Sequence, residues 1–230
     1  MVVGTVHREL GKDGVESKFY AAAPVMKNPK VAIILLAAGA GARLGHYPKA
    51  LLEKDGVPLI TRFWDEAKQL SPLESITVLG FYADQIVGLA QQSSKVVMNP
   101  SPELGQSSSA RLGIESLQSD YDYALIALVD QPRITSNELA ELIYHASNMD
   151  ATIEAIVPCF KGQRGNPTLL KRYAVNAILK NPDLTPRKWM DDNPDKVLFF
   201  ESHNEAYVCD MDFYDDLSRE NVLLISKDRY

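Results

Sequence analysis

One stretch of this chain concentrates groups suited to holding phosphate. Leu36-Ala37-Ala38-Gly39-Ala40-Gly41-Ala42-Arg43-Leu44-Gly45 follows an apolar run, and Pro48-Lys49 comes shortly after. Small residues let successive backbone N–H groups approach an anion and form a nest around it. Arg43 offers a planar fork for terminal phosphate oxygens, and Lys49 a compact charge from the far side of the loop. Carboxylates supply the opposite half of the chemistry. Asp130 stands at the end of an apolar stretch over residues 124–129 and precedes Gln131-Pro132. A carboxylate so placed can hold a hard cation such as Mg2+, which binds through one or two carboxylates plus phosphate oxygens. It equally suits a turn whose side chain is satisfied by nearby N–H groups. Cys209-Asp210-Met211-Asp212 contains a second acid, with helix capping as the alternative role for either aspartate.

Three readings of the glycine loop stay open on chemistry alone. The first is a strand turn that needs small residues. The second is a dinucleotide fingerprint, since Gly39, Gly41 and Gly45 are spaced Gly-x-Gly-x-x-x-Gly. Such a fingerprint opens directly into a helix, whereas Pro48 and Gly56-Val57-Pro58 delay one here, and the strand ending near Phe81 closes in Phe-Tyr-Ala, with Asp84 nearby. The third is a triphosphate loop. No Gly-Lys-Ser/Thr is present, so a Walker-type loop is excluded.

Residues 36–52 resemble the signature of the nucleotidyltransferases typified by molybdenum-cofactor cytidylyl- and guanylyltransferases. That signature reads Leu-Ala-Ala-Gly, a small or polar stretch, Arg-x-Gly and a Pro-Lys pair, matched by Gly39, Arg43, Gly45, Pro48 and Lys49. Sugar-phosphate and phosphocholine nucleotidyltransferases carry a related loop, so the motif marks the superfamily better than the substrate. The resemblance implies that Leu36, Ala37, Ala38, Gly39, Ala40 and Gly41 bind the nucleotide, that Arg43, Lys49 and Asp130 are catalytic, and that Asp130, in its Leu-x-Asp-x-Pro setting, is a metal ligand. It implies Asp212 as the second metal ligand, with Asp210 as the alternative, although Phe213-Tyr214 stand where the family usually continues Thr-Pro. Gly105-Gln106-Ser107-Ser108-Ser109 resembles the family's Gly-x-Ser-x-Ser, which implies Ser107, Ser108 and Ser109 as nucleotide contacts. Gly162-Gln163-Arg164-Gly165-Asn166-Pro167 resembles an acceptor-side loop usually ending Gly-His-Pro, so Arg164 and Asn166 fall to the acceptor. Residues 183–189 depart from the family's Gly- and Arg-rich segment.

The implied activity is a Mg2+-dependent transfer of an NMP from an NTP, CTP before GTP, to a small phosphate-bearing acceptor, with pyrophosphate released. A molybdopterin-type acceptor comes first, and a sugar phosphate or phosphocholine second. A non-catalytic nucleotide-binding module and a nicotinamide-binding protein are the alternatives of other classes.

The elements that must position these residues follow from hydrophobic patterning. Residues 31–37, 75–81, 95–98, 123–129 and 152–158 read as strands, and residues 197–201 and 205–209 as short ones. Helical spacing marks residues 59–70, 84–92, 170–179, 187–192 and 213–219, with a serine-capped helix over residues 107–117. Thr135 or Ser136 caps another helix running to about Asn148, and residues 99–105 and 162–167 read as loops. Alternation of this kind calls for an α/β fold, a mostly parallel sheet with helices on both faces. The resemblance makes it three-layered and Rossmann-like, of nucleotide-diphospho-sugar transferase type. The turns after Ala37, Val129 and Pro158 are expected on one sheet edge, where such folds bind ligands.

Composition narrows the partners. Of 230 residues, 46% are hydrophobic and the net charge is −6, which suits one cored domain and argues against a broad nucleic-acid or membrane face. Arg43, Lys49, Arg111, Arg133 and Arg164 lie in Gly-, Ser- or Pro-rich segments, as expected for loops that handle a small anion. No apolar run approaches the ~20 residues of a membrane span. Cys159 and Cys209 lie far apart, and His7, His46, His145 and His203 form no metal-spaced pair, so disulfides and zinc are unsupported and a reducing cytoplasm is expected. Residues 1–30 read as an irregular extension before a single domain over residues 31–230. Oligomeric state is not fixed by the sequence.

Overall fold

The computed structural model describes residues 29–225, so all but the last two residues of the expected extension lie outside the described residues. The apolar run forms β1 (Val31–Ala37), every residue of which is buried. Along the chain follow β2 (Glu53–Lys54), β3 (Val57–Pro58), α1 (Leu59–Ala67), β4 (Glu74–Leu79), α2 (Ala83–Ala90), β5 (Lys95–Met98) and α3 (Gln106–Glu115). Next come β6 (Tyr123–Leu128), α4 (Ser136–Asn148), β7 (Ala155–Phe160), β8 (Gln163–Arg164), β9 (Thr168–Lys171), α5 (Arg172–Leu179), α6 (Pro186–Asp192), β10 (Val197–Glu201), α7 (Tyr214–Glu220) and β11 (Val222–Leu223).

Among the described residues the main sheet has eight strands, with neighbours in the order β5-β4-β1-β6-β9-β7-β10 and β8 beside β7. Pairings of β1 with β4 and β6, of β4 with β5 and of β7 with β10 are parallel. The chain steps from β1 outward to β4 and β5, then returns to place β6 on the other side of β1. A reversal of strand order like this leaves a crevice beyond the carboxyl ends of the two strands.

Both faces of the sheet are covered, which is why β1 is apolar throughout. Ile33 and Leu35 point into one core with Phe63 and Trp64 of α1, Ile86 of α2, and Leu139 and Leu142 of α4. Ala32, Ile34 and Leu36 point into the other, with Ala110 and Ile114 of α3, Val175 and Ile178 of α5, and Trp189 of α6. Helix α3 rests directly on the sheet at Gly113, where a Cβ would stand 2.6 Å from the Cγ2 of Ile34. Of the two caps the sequence offers for α4, Thr135 takes the role, through a reciprocal box with Glu138.

Four local expectations are corrected. The helix expected over residues 170–179 begins at Arg172, because Thr168–Lys171 form β9, antiparallel to both β6 and β7. Leu169 and Leu170 enter opposite cores, as period-two side chains must, and pairing on both sides outweighs a helical pattern continuous with α5. Residues 205–209 are not a strand: Glu205–Val208 form a 3-10 turn started by the Asn204 side chain accepting from the Ala206 N–H, and Ala206 and Tyr207 are buried in succession. The serine-capped helix is capped instead by Gly105, and its serines lie inside the first turns. The loop over residues 162–167 contains β8, paired with β7. A small sheet, β11-β2-β3, was also not anticipated. No helix among the described residues is long and apolar enough to cross a membrane.

Candidate active site

The loop after β1 is shaped by its own turns. Gly41 has φ +57°, and a Cβ there would lie 2.0 Å from the Tyr47 carbonyl oxygen, so only glycine allows the chain to fold back this tightly. The Leu44 and His46 N–H groups both donate to the Gly41 carbonyl, at 2.9 and 3.0 Å. Leu44 is buried and anchors a 3-10 turn over Ala42–Leu44. A second turn, Lys49–Leu51, is fixed by burial of Ala50 and Leu51 and leaves Lys49 at its start. Tyr82 donates from its hydroxyl to the Ala40 carbonyl at 3.0 Å. The loop therefore does not open into a helix as a dinucleotide fingerprint does, and α1 waits until Leu59.

Residues far apart in sequence meet at this loop. Lys49 Nζ donates to Asp130 Oδ2 at 2.6 Å and to Asp212 Oδ1 at 2.7 Å, and Arg43 Nη1 donates to Asp212 Oδ2 at 2.6 Å. The Arg43 guanidinium lies 5.4 Å from the centre of the Phe213 ring. Burial pulls the Lys49 pKa down, but Asp130 and then Asp212 outweigh it, so the pKa stands above its ordinary value. Burial acts to raise Asp212, and its contacts with Lys49 and then Arg43 outweigh that and hold the carboxyl low. Asp210 behaves in the opposite way. Burial, reinforced by the nearby Asp130 charge, raises its pKa to about 6. Its carboxylate accepts from Gln131 Nε2 at 2.8 Å, not from Lys49. Between the two aspartates that sequence leaves open, Asp212 is the one that faces the loop cations.

Three ties hold the Asp130 turn against the segment that carries Asp212. The Met211 N–H donates to the Asp130 carbonyl at 2.9 Å. Gln131 Nε2 also donates to the Tyr207 carbonyl at 3.0 Å. Arg133 forks onto Glu220 of α7 with Nε at 2.7 Å and Nη2 at 2.6 Å, while Nη1 reaches Glu205 at 2.8 Å.

A cavity of about 490 Å³ opens in the β1/β6 crevice. Leu36, Ala37, Ala38, Gly39, Ala40, Gly41, Arg43, Lys49, Ser109, Asp130 and Asp212 all line it. A second cavity of about 280 Å³ is lined by Ser107, Arg164 and Asn166 among others. The two share Leu36 and Gln106. Ser108 lines neither: its hydroxyl accepts from Asn99 Nδ2 at 3.0 Å and donates to the Gly105 carbonyl at 2.8 Å. Ser109 accepts from the same amide at 2.9 Å and is buried. These serines thus spend hydrogen bonds on the helix entry.

Two of the basic loop residues do other work than expected. Arg111 lies on α3 and donates to the carbonyls of Ile178, Asn181 and Leu184, closing the end of α5. Arg133 is the α7 clamp just described. Arg164 pairs with Asp191 and stacks 4.6 Å from the Phe199 ring centre. Phe81, Pro102, Glu103 and Gln106 in the first cavity and Arg187 and Met190 in the second were not singled out from sequence. Applying the strand-end rule to β4 and β5 would have pointed to the first group, since their outgoing loops share the ligand edge. Among the described residues no three His, Cys, Asp or Glu side chains converge as a metal cage.

Residues 33–197 match the family described as MobA-like NTP transferase domain. The bifunctional protein GlmU of Janthinobacterium sp. (strain Marseille) is 29% identical over 160 residues, covering 67% of this chain and 34% of that protein. The chain therefore spans about a third of the length of that relative. Rv0371c of Mycobacterium tuberculosis H37Rv superposes with a TM-score of 0.68 at 22% identity, over 84% of this chain and 98% of that one. Molybdopterin-guanine dinucleotide biosynthesis protein A of Archaeoglobus fulgidus superposes with a TM-score of 0.58 at 18% identity, over 82% and 96% respectively. At these identities the two structures establish the shared three-layer α/β fold.

Proposed function

We propose, because this chain belongs to the family of MobA-like NTP transferase domains and so carries a nucleotidyltransferase domain, that it moves an NMP from an NTP to a small phosphate-bearing acceptor and releases pyrophosphate. The observation that carries this reading is the meeting of Lys49, Arg43, Asp130 and Asp212 at the glycine loop. The backbone N–H groups of the Gly39–Gly41 stretch cradle the β- and γ-phosphates. Arg43 holds the departing pyrophosphate, and Lys49 neutralises charge at the α-phosphorus. An acceptor phosphate oxygen bonds to that phosphorus as the bond to the bridging oxygen breaks, and the electron pair leaves with pyrophosphate. Little covalent chemistry is asked of the side chains, so positioning and charge stabilisation dominate.

Asp130 and Asp212 fit a divalent cation, since their oxygens already converge on one positive charge, the Lys49 ammonium. When bound, Mg2+ would supply Lewis-acid neutralisation of the α-phosphate. A manganese complex of Rv0371c supports a divalent ion in this fold. CTP is the favoured donor and GTP the second, and the acceptor is of molybdopterin type. The Asp130-Gln131-Pro132 form and the loop carrying Arg164 and Asn166 support that choice, as does the Archaeoglobus neighbour. A sugar phosphate or phosphocholine is the rival acceptor.

Pyrophosphate release, screened with phosphorylated acceptors against the four common NTPs, tests the reaction. Lys49→Ala should lose roughly 3–4 kcal/mol of barrier lowering, two to three orders of magnitude in rate, by analogy with removal of one oxyanion donor. Near-normal turnover in Lys49→Ala or Asp130→Ala overturns the assignment.

A further inference from the structure

Asp130 Oδ2 and both oxygens of Asp212 accept hydrogen bonds from Lys49 and Arg43. Lys49 bridges the two carboxylates at 2.6 and 2.7 Å, so a divalent cation held by both would compete with its ammonium for the same oxygens. An ammonium and a divalent ion repel strongly at that spacing and cannot share them. Lys49 and Asp130 are little exposed, at 17% and 16% of their side-chain surface, so water screens the pair poorly.

We infer that Lys49 is the resident counter-ion of the metal site, and that the site becomes available only when a nucleotide's phosphates draw Lys49 away. This rests on reading Asp130 and Asp212 as the metal carboxylates. The hand-over needs no loop movement. The Lys49–Leu51 turn is pinned by buried Ala50 and Leu51, so the four-carbon stem alone swings from carboxylate to phosphate. Arg43, whose side chain is 63% exposed, can leave Asp212 for the terminal phosphates in the same step. Two carboxylates then lose their cations together, next to a newly arrived polyanion. Metal and nucleotide consequently bind better together than apart, and by linkage each strengthens the other by the same factor. Without nucleotide, the chain binds divalent ions weakly, because its competent form is scarce.

Mn2+ titration of the nucleotide-free full chain, followed by the EPR signal of free Mn2+, tests this. Lys49→Met and Lys49→Gln should each bind Mn2+ at least about tenfold more tightly than the wild type, since the internal competitor is gone. Adding Asp130→Asn to either should abolish the gained site. Variants that retain the wild-type circular dichroism spectrum yet gain no Mn2+ affinity overturn the inference. A measurement on the unmodified chain stands independently. A non-hydrolysable NTP analogue should tighten Mn2+ binding, after allowance for Mn2+ held by the analogue alone, and Mn2+ should tighten analogue binding equally. Equal Mn2+ affinity with and without bound analogue overturns the inference while leaving the transferase reading intact. Failure of all four NTP analogues to bind at any Mn2+ concentration removes the transferase reading itself.

Discussion

Glu220→Gln removes the charge that joins the Asp130 turn to α7. Glu220 is only 4% exposed and accepts both forks of Arg133, at 2.7 and 2.6 Å, with Lys54 Nζ at 3.6 Å. Taking away one partner of a buried pair costs about 3–5 kcal/mol, chiefly because the other charge is stranded. Here Arg133 is 34% exposed and keeps Glu205, so solvent and the remaining carboxylate recover part of that, leaving about 2–3 kcal/mol. For a chain of this size the loss lowers Tm by roughly 5–10 °C. The hydrogen bonds from Arg133 hold the Glu220 carboxyl below its ordinary value of 4.5, against burial. A carboxyl lowered on folding stabilises fully above its unfolded pKa and loses that contribution as pH falls through the folded one. The gap between wild type and variant should therefore be full at pH 7 and close below about pH 4.5. Urea unfolding at a series of pH values reads it as a shift in midpoint at constant slope. Equal midpoints at pH 7, or a gap undiminished in acid, would refute the reasoning.

Gly41→Ala combines a left-handed backbone with a Cβ driven to 2.0 Å from the Tyr47 carbonyl, so the loop must open; calorimetric titration should show NTP affinity down by about tenfold or more, with a loss of about 1–2 kcal/mol in urea. Gly113→Ala gains about 1 kcal/mol of helix propensity but forces the stiff Ile34 side chain off the sheet, at a cost of about 1–3 kcal/mol, so the urea midpoint should fall modestly. A rise would mean α3 can slide away from β1. Asp130→Asn keeps the shape of the turn and removes the charge; pyrophosphate release should drop by roughly two orders of magnitude even at saturating Mg2+. Full recovery with added metal would assign Asp130 to affinity alone.

Much of the fold is legible in the sequence because burial on both faces leaves a plain signature, as in residues 31–37, whose every side chain enters one core or the other. The misread elements are those decided by remote partners. Nothing local distinguishes Thr168–Lys171 from the start of α5 until β6 and β7 flank it. At the site, local chemistry singles out Arg43 and Lys49, the family resemblance selects Asp130 and Asp212, and the fold brings the four within hydrogen-bond distance. The direction of that bonding was not legible. Which carboxylate a loop cation reaches is decided by the fold, through a contact spanning 163 residues in the case of Lys49 and Asp212. Arg111 and Arg133 were misassigned for the same reason, since their loops look anion-seeking while their partners lie at the end of α5 and on α7.

The reversed strand β9 has an architectural consequence. In an all-parallel sheet, each strand delivers its chain to the ligand edge once, and a long crossover must carry it back before the next arrival. Because β9 starts where β6 and β7 finish, the chain leaves β7, makes the excursion that holds Arg164 and Asn166, and re-enters the sheet from the same side. That excursion is a closed overhang with both ends rooted in neighbouring strands. Residues can be exchanged or inserted there without re-routing β1 or β6, whose outgoing turns shape the first cavity. The sheet thus separates a fixed floor from an awning that can change in length and composition while the first cavity keeps its shape.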